Sequence, residues 1–297
     1  MILRGWPILT EASALKSSFK DASCGQSFVK ENLNGLRALK SLGQHFLLNP
    51  QINQAIVLKA GDLVGVNVIE VGPGPGGLTK AILAAKPKSI TALEKDWRFV
   101  DLLHPMESQH DCLTVLHADA LSFDYDRIDS PKVVIANLPY NIASQLLFRW
   151  LEDLQSYRAL YLMLQREVVD RICAAPGTKA YGKLSVLVQY QASARKVMDL
   201  SPESFTPPPK VDSAVVEIIP NPSSNVDFIS IEKLCRIAFA HRRKMVIKAL
   251  GSLFKNPASI MESVGVHHNA RAEDISVAQF TSIAQLLPLN PASVSSN

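Results

Sequence analysis

Residues 66–77 read Val-Asn-Val-Ile-Glu-Val-Gly-Pro-Gly-Pro-Gly-Gly, an apolar run that passes directly into a glycine-rich loop. A short continuous apolar run is typical of a strand buried on both faces, and glycines let the backbone turn sharply close to a ligand. Leu78, Ala81, Ile82 and Ala85 follow at the spacing of one helix face. A strand, a glycine loop and a helix in this order predict the first unit of an α/β fold built on a parallel sheet.

The alternation of apolar runs and helical stretches continues beyond this unit. Further runs with strand character occur at residues 90–93, 113–116, 132–136 and 159–164. Two later runs, at residues 195–200 and 213–219, are separated by three consecutive prolines and are expected to close the sheet as a hairpin-like pair. The pattern therefore predicts a largely parallel sheet that is covered by helices on both faces.

The periodicity divides the chain into three parts. Residues 1–36 have weak periodicity and are predicted to form an N-terminal extension, whereas residues 37–221 hold the strand–helix alternation. The sequence Pro-Asn-Pro-Ser-Ser that begins at Pro220 has the composition of a linker. Beyond it, helical spacing predicts that residues 222–297 form a small all-α domain, with helices over 231–254 and 277–287.

Length and composition exclude several classes of protein. The chain has 297 residues, of which 47% are hydrophobic and 20% charged, so a folded protein with a sizeable core is expected rather than a disordered or collagen-like chain. The net charge of +4 (31 basic minus 27 acidic residues) is too small to identify a partner. The cysteines lie far apart and predict reduced thiols and no metal site: Cys24, Cys112, Cys173 and Cys235.

The sequence also bears on localisation. No stretch approaches the roughly 20 apolar residues of a membrane-spanning helix. Residues 1–10 lack the apolar block of a signal peptide, and Glu11, Asp21 and Glu31 interrupt a segment that would be poor in acids if it were a transit peptide. We therefore expect a cytoplasmic protein that has no membrane partner and acts as a monomer.

Acidic residues follow the glycine loop at intervals that suit an adenosine ligand. Glu94 lies 22 residues after Gly72 (94 − 72), at the predicted end of the second strand, where a carboxylate can accept hydrogen bonds from both ribose hydroxyls. Asp119 is predicted to end the third strand and to accept a hydrogen bond from an adenine amino group.

The glycine loop fits two classes of ligand. Read as Gly-x-Gly-x-x-Gly from Gly72, it fits a dinucleotide site; read as Glu-x-Gly-x-Gly-x-Gly from Glu70, it fits an S-adenosylmethionine site. The loop alone leaves both open. None of the six tyrosines has a lysine four residues further on, so the Tyr-x-x-x-Lys dyad of short-chain dehydrogenases is absent.

The tetrapeptide Asn137-Leu138-Pro139-Tyr140 follows the fourth apolar run, where ligands of an open α/β sheet bind. The exocyclic amine of adenine is a poor nucleophile because its lone pair is delocalised into the ring. The Asn137 side-chain oxygen and the Leu138 carbonyl, held outward by Pro139, could accept its two N–H groups and favour a pyramidal nitrogen. Tyr140 could stack on a base drawn out of its RNA helix or loop. The same residue types also suit a simple turn after a strand.

In this position the tetrapeptide resembles the catalytic motif of the small-subunit ribosomal RNA adenine dimethyltransferases. Further motifs of that family occur in the same order between residues 37 and 288: Lys40-Ser-Leu-Gly-Gln-His-Phe-Leu47, Leu164-Gln-Arg-Glu-Val-Val-Asp-Arg171, Lys179-Ala-Tyr-Gly-Lys-Leu-Ser185, Phe205-Thr-Pro-Pro-Pro-Lys-Val-Asp-Ser-Ala214, His241-Arg-Arg-Lys244 and Arg271-Ala-Glu-Asp-Ile-Ser-Val-Ala-Gln-Phe280. The resemblance implies a Rossmann-like class I methyltransferase fold with a seven-strand sheet and a small C-terminal helical domain. It also implies S-adenosyl-L-methionine as methyl donor and S-adenosyl-L-homocysteine as product.

The resemblance implies roles for individual residues as well. Three would close over the methionine end of the donor: Gln44, His45 and Leu47. Four would hold its ribose and adenine: Gly72, Glu94, Asp119 and Ala120. The target base would be received by Asn137, which also borders the donor, and by Leu138 and Tyr140, with Phe205 on its other face. Members of the family often carry asparagine in place of His45.

A basic segment lies in the predicted helical domain. Residues 233–261 carry seven basic residues and no acidic one: Lys233, Arg236, Arg242, Arg243, Lys244, Lys248 and Lys255. Such a run is often only a solvated helix face, but beside a base-flipping site it predicts a surface that contacts RNA phosphates. The four from Arg242 to Lys248 are the candidate RNA-binding residues, to which Arg166 and Arg171 could add.

The resemblance implies methyl transfer to N6 of two adjacent adenosines near the 3′ end of 16S-type ribosomal RNA, in an assembling 30S particle. Three alternatives remain open. The first is a large-subunit ribosomal RNA adenine methyltransferase, although the segment 271–280 favours the small-subunit enzymes. The second is a protein-glutamine methyltransferase, for which the basic segment has no purpose. The third is an RNA-binding assembly or transcription factor that uses the methyl donor only structurally. The intact motif at residues 137–140 argues against it.

Overall fold

The computed structural model describes residues 36–222, 226–241 and 244–287, and strands in this part form one large sheet and one short ladder. In chain order the strands are β1 (Phe46–Leu47), β2 (Asn67–Val71), β3 (Ser89–Glu94), β4 (Leu113–His117), β5 (Lys132–Asn137), β6 (Tyr157–Gln165), β7 (Ala192–Leu200), β8 (Phe205–Thr206) and β9 (Ser213–Pro220). Seven of them form the large sheet in the order β4-β3-β2-β5-β6-β9-β7, while β1 pairs antiparallel with β8.

The predicted hairpin-like pair is confirmed, because β7 and β9 pair antiparallel. The five strands from β4 to β6 are parallel, and β9 joins β6 antiparallel, so the sheet is mixed. One strand end differs from the sequence expectation. Asp119 was expected to end a strand, but β4 ends at His117 and Asp119 lies two residues beyond it, where its side chain accepts the backbone N–H of Leu121 in a turn.

The helices cover both faces of the sheet. They are α1 (Pro50–Lys59), α2 (Gly77–Ala84), α3 (Trp97–Glu107), α4 (Tyr140–Glu152), α5 (Arg166–Ile172), α6 (Lys183–Gln191), α7 (Phe228–Ala238), α8 (Val246–Leu250), α9 (Pro257–Ser263) and α10 (Val277–Gln285). The helix predicted after the glycine loop is confirmed as α2. In the described part of the chain, no helix is long and apolar enough to cross a membrane.

Alternate residues of the central strands face opposite hydrophobic clusters, as the two-residue period of a strand requires. Val133 and Ile135 of β5 belong to the cluster that contains α1, α2 and α3. Val134 and Ala136 belong to the cluster on the other face, which contains α4 and α5. The continuous apolar runs of β2, β5 and β6 are therefore strands buried on both faces, as their sequence predicted.

The strand order reverses between β2 and β5, and this reversal positions the site. From β2 the chain continues to β3 and β4 on one side, whereas β5 and β6 lie on the other. Ligands of an open α/β sheet bind in the crevice beyond the strand ends at such a reversal. The glycine loop follows β2 and Asn137 ends β5, so the fold brings both predicted motifs to this crevice.

The C-terminal helices pack around a third hydrophobic cluster. Its buried residues come from α7, α8 and α10, and also from α6 and the segment before it, including Tyr181 and Leu187. The helix expected over 231–254 is divided: α7 ends at Ala238, a 3-10 turn covers Phe239–His241, and α8 begins at Val246. Residues 1–35 and the candidate RNA-binding residues Arg242 and Arg243 lie outside the described residues.

Candidate active site

A cavity of about 190 Å³ opens at the strand reversal. Its walls come from five segments: residues 41–47, 70–78, 93–95, 118–120 and 137–142. Nearly every residue that the sequence assigned to the methyl donor or the target base lines it: Gln44, His45, Leu47, Gly72, Glu94, Asp119, Ala120, Asn137, Leu138 and Tyr140. The cavity therefore joins motifs that are up to 96 positions apart in the chain (140 − 44).

The glycine loop forms one wall of the cavity in a conformation that glycine favours. Gly74 has a φ of +51°, and a Cβ added there would lie 3.0 Å from two atoms of the Phe46 ring. The backbone N–H of Gly74 donates to Oε2 of Glu94 at 3.0 Å. The loop can pass between the Phe46 ring and the Glu94 carboxylate because it carries no side chain at this position.

Glu94 is oriented by the backbone on both sides. Its Oε1 accepts the N–H of Asp96 at 2.8 Å, and its Oε2 accepts the N–H of Gly74. Burial raises the pKa of Glu94, while these backbone hydrogen bonds act in the opposite direction. Each oxygen keeps a second lone pair, so the carboxylate can still accept hydrogen bonds from ligand hydroxyls.

Asp119 lines the cavity next to Ala120 and forms an ion pair with Lys95. Its Oδ2 lies 2.7 Å from Nζ of Lys95, and its Oδ1 accepts the N–H of Leu121 at 2.9 Å. Lys95 is the main cause that lowers the pKa of the Asp119 carboxyl, with the Leu121 N–H second. Asp119 is therefore ionised at neutral pH and acts only as an acceptor.

Residues 41–47, here called the cover segment, extend across the cavity. Nε2 of Gln44 donates to Oδ2 of Asp96 at 2.9 Å. Arg98 first and Gln44 next lower the pKa of Asp96 to about 2, so this anchor is charged throughout the physiological range. Phe46 packs edge-on against Phe99 with 5.0 Å between ring centroids. The cover segment is thus held to the start of α3.

At the other end of the cavity, Asn137 and Tyr140 have fixed orientations. Nδ2 of Asn137 donates to the backbone carbonyl of His45 at 2.8 Å. Its Oδ1 makes no hydrogen bond within the described ranges, so this residue of the cavity wall keeps a free acceptor. The hydroxyl of Tyr140 lies 2.6 Å from Oγ of Ser213. Burial raises the pKa of Tyr140, so the phenol stays protonated at neutral pH.

Phe205 is the one residue of the predicted base site that the structure does not bring to the cavity. Its side chain is only 3% exposed and belongs to the cluster around α1, α2 and α3. The reason is its strand: β8 pairs with β1, with Phe205 opposite Leu47, and the apolar ring turns into the core. The contact of Phe205 with the target base stays a prediction.

Glu70 is a cavity residue to which the sequence assigned no role. It is the second-last residue of β2, and it lines the cavity with only 1% of its surface exposed. Burial raises its pKa to about 8, and the neighbouring Glu94 acts in the same direction. The signal was present in the sequence, since Glu70 opens the pattern Glu-x-Gly-x-Gly-x-Gly.

Comparisons with known proteins identify relatives of this chain. A family model described as ribosomal RNA adenine dimethylase matches residues 35–288. The chain is 42% identical over 261 residues to a ribosomal RNA small subunit methyltransferase A from Jannaschia sp. (strain CCS1), covering 86% of this chain and 90% of the relative. A protein of the same name from Gluconobacter oxydans (strain 621H) is 44% identical over 258 residues, covering 85% and 84%.

A solved structure gives the same fold. A dimethyladenosine transferase from Plasmodium falciparum matches with a TM-score of 0.69 and 26% identity, covering 79% of this chain and 94% of that one. The Rossmann-like methyltransferase fold expected from the sequence is confirmed.

Proposed function

Because this chain belongs to the ribosomal RNA adenine dimethylase family, we propose that it transfers methyl groups from S-adenosylmethionine to N6 of two adjacent adenosines near the 3′ end of small-subunit ribosomal RNA. The observation that supports this most directly is the acceptor left at Oδ1 of Asn137, since Nδ2 of the same amide is bonded to the His45 carbonyl. The relatives at 42% and 44% identity carry the small-subunit name, which favours that substrate over large-subunit RNA.

The cavity residues suit the methyl donor. Glu94 offers oriented lone pairs where ribose hydroxyls would lie, and Asp119 is an acceptor suited to an adenine amino group. Glu70 adds a buried carboxyl to a wall of the same cavity, which suits a ligand that carries positive charge. S-adenosylmethionine would supply the methyl group on a sulfonium centre. We propose that Gln44, His45 and Leu47 cover its methionine end.

The residues after β5 would prepare the target amine. Oδ1 of Asn137 and the carbonyl of Leu138 would accept its two N–H groups, which favours a pyramidal nitrogen with its lone pair directed at the methyl group. Tyr140, a neutral phenol held by Ser213, would stack on the base rather than remove a proton. No strong base is needed because the product ammonium is acidic, so catalysis depends on orientation.

The substrate would dock through the basic segment of the C-terminal helices. Lys233, Arg236, Lys244, Lys248 and Lys255 are exposed. Arg236 pairs with Glu232 at 3.9 Å, whereas Lys244 and Lys248 form no ion pair within the residues that the structure describes. We propose that these side chains contact phosphates of an assembling 30S particle and that the protein acts as a cytoplasmic monomer. The division into a catalytic domain at residues 37–221 and an RNA-docking domain at 222–297 is part of the same proposal.

The test is methylation of under-methylated 30S particles with isotope-labelled S-adenosylmethionine, read by mass spectrometry of ribosomal RNA fragments. We expect dimethyladenosine at two adjacent positions near the 3′ end, and none in 50S particles. Absence of the label from 30S RNA would contradict the proposal. Label in 50S RNA instead would assign the chain to the large subunit.

We expect Asn137→Ala to abolish transfer while S-adenosylmethionine still binds, because the change removes an acceptor for the target amine and leaves the glycine loop and Glu94 intact. A loss of at least about 100-fold in kcat is the expected size, as for other residues that orient reacting groups. Asn269→Ala, at an exposed asparagine in a turn between α9 and α10, is the matched control. Transfer by Asn137→Ala at close to the wild-type rate would show that the assigned role is wrong.

A further inference from the structure

One side chain of the cover segment, His45, contacts the residues after β5. The His45 and Tyr140 rings are stacked, with 5.7 Å between centroids and 28° between planes. Nδ1 of His45 lies 2.8 Å from the carbonyl oxygen of Pro207, and because a carbonyl only accepts, Nδ1 carries the proton. The backbone carbonyl of His45 accepts from Nδ2 of Asn137. A single residue thus contacts Asn137, Tyr140 and the segment after β8.

Tyr140 is restrained at two points that act differently. The bond from its hydroxyl to Ser213 fixes the far end of the ring, but it leaves the ring free to rotate about its long axis. The stacked imidazole restricts that rotation, since a tilted ring would lose the contact. The imidazole restricts Tyr140 through the face of its ring, and its Nδ1 is in addition bonded to the Pro207 carbonyl. Removal of the stack therefore changes the plane of the Tyr140 ring without removing its hydroxyl bond.

The position of Phe205 strengthens the argument. The resemblance implies that Phe205 lies on the other face of the target base, but the Phe205 ring lies in the core at 3% exposure. Among the described residues, the aromatic side chain that does meet Tyr140 is His45.

We propose that His45 is a positioning residue for methyl transfer, which sets the plane of the Tyr140 ring and the direction of the Asn137 amide; this rests on the proposed function. The backbone carbonyl of His45 orients Asn137, whereas the imidazole acts through Tyr140, so loss of the imidazole should lower the rate of transfer from the fully bound complex. Misplacement by about 1 Å is enough to slow an oriented reaction about 100-fold.

Two variants separate the two interactions of the imidazole. His45→Phe keeps an aromatic ring beside Tyr140 and loses the bond to Pro207, whereas His45→Asn keeps an N–H donor and loses the ring. We expect kcat, at saturating donor and 30S particles, to fall at least about 10-fold in His45→Asn and to stay within about 3-fold of wild type in His45→Phe. Thermal unfolding of each variant shows whether the fold is retained.

The decisive measurement is a double-mutant cycle with Tyr140→Ala. If His45 acts through the Tyr140 ring, His45→Asn has little further effect on kcat once that ring is gone. An equal loss in both backgrounds would overturn the proposal, and so would a change confined to the KM for the donor, since that would make His45 only a donor contact.

An inactive wild-type chain would overturn the proposed function, and the His45 contact would then be judged by NMR. Stacking on Tyr140 shifts the carbon-bound protons of the His45 ring, and this shift must disappear in Tyr140→Leu. Unchanged His45 signals in Tyr140→Leu would overturn the positioning role, whatever substrate the chain uses.

Discussion

At the scale of one residue, ionisation of Glu70 makes the stability of the fold depend on pH. Its pKa is raised by burial from an ordinary value of 4.5 to about 8, so the folded chain holds this proton more tightly than the unfolded chain does. The stabilisation of the fold that comes from this tighter proton binding is fully present below pH 4.5 and is lost as the pH rises through about 8. Ionised Glu70 in the empty fold is therefore destabilising.

We expect Glu70→Gln to remove that loss, because glutamine has a similar size and cannot ionise. Relative to wild type, the variant should gain free energy of unfolding between pH 5 and pH 8, by a few kcal/mol at most, since each pKa unit corresponds to about 1.4 kcal/mol. Urea unfolding without ligand at the two pH values measures the difference. Glu152→Gln, at an exposed carboxyl, is the control, and an equal pH effect in both variants would contradict the assignment.

Single residues were predictable from sequence where a strand end fixes them. Glu94 and Asn137 each end a parallel strand, and parallel strands share one carboxyl edge, so their approach follows from the alternation pattern alone. The stack of His45 on Tyr140 and the burial of Phe205 depend on the β1–β8 pairing. That pairing joins residues about 160 positions apart, and no local periodicity indicates it.

At the scale of the elements, the glycine loop contacts the cover segment at Gly74, where the Phe46 ring leaves no room for a side chain. We expect Gly74→Ala to weaken binding of S-adenosylhomocysteine at least about 10-fold, because its Cβ would lie 3.0 Å from the Phe46 ring and displace the cover segment. Isothermal titration calorimetry measures the affinity, and urea unfolding is expected to show a loss of about 2 to 3 kcal/mol.

Gly65→Ala is the matched control for this substitution. Gly65 also has a positive φ, of +74°, but a Cβ there meets nothing within 4 Å. It should lose only the roughly 1 kcal/mol of left-handed strain and bind the ligand normally. Equal effects of the two substitutions on binding would show that the contact with Phe46 is unimportant.

The elements of the sheet were more predictable than the C-terminal helices. The central strands β2, β5 and β6 were indicated by apolar runs, because burial on both faces leaves a continuous signal in the sequence. The helix expected over 231–254 is instead divided between α7 and α8, although its apolar spacing continues. Helical spacing reports which residues face the core, and it does not report where the chain turns between helices that share that core.

For the whole molecule, the small net charge of +4 conceals a local concentration of basic residues. We expect the double variant Lys244→Ala/Lys248→Ala to bind 30S particles more weakly and with a smaller salt dependence, because each phosphate contact contributes about 0.7 to 0.9 to the slope of log K against log salt. A reduction of the slope by about 1 to 2 is the expected result, measured by filter binding over a range of KCl concentrations.

The control for this experiment removes the same charge elsewhere. Lys59 and Lys88 are exposed residues outside the basic segment, so Lys59→Ala/Lys88→Ala lowers the net charge equally. If both double variants change the slope alike, only overall charge matters and the proposed docking surface is wrong.

The domain boundary near residue 221 stays a prediction, since Tyr181 and Leu187 share the third hydrophobic cluster with the C-terminal helices.

The cover segment has a consequence for how stability should be monitored. It contributes one wall of the cavity, yet its only strand, β1, forms a two-residue ladder with β8 outside the large sheet. Such a segment can detach at a lower free energy than global unfolding requires. Circular dichroism, which follows the sheet and the helices, would not detect that opening. Hydrogen exchange at the amides of residues 41–47 would detect it, and bound donor should slow their exchange more than that of β2.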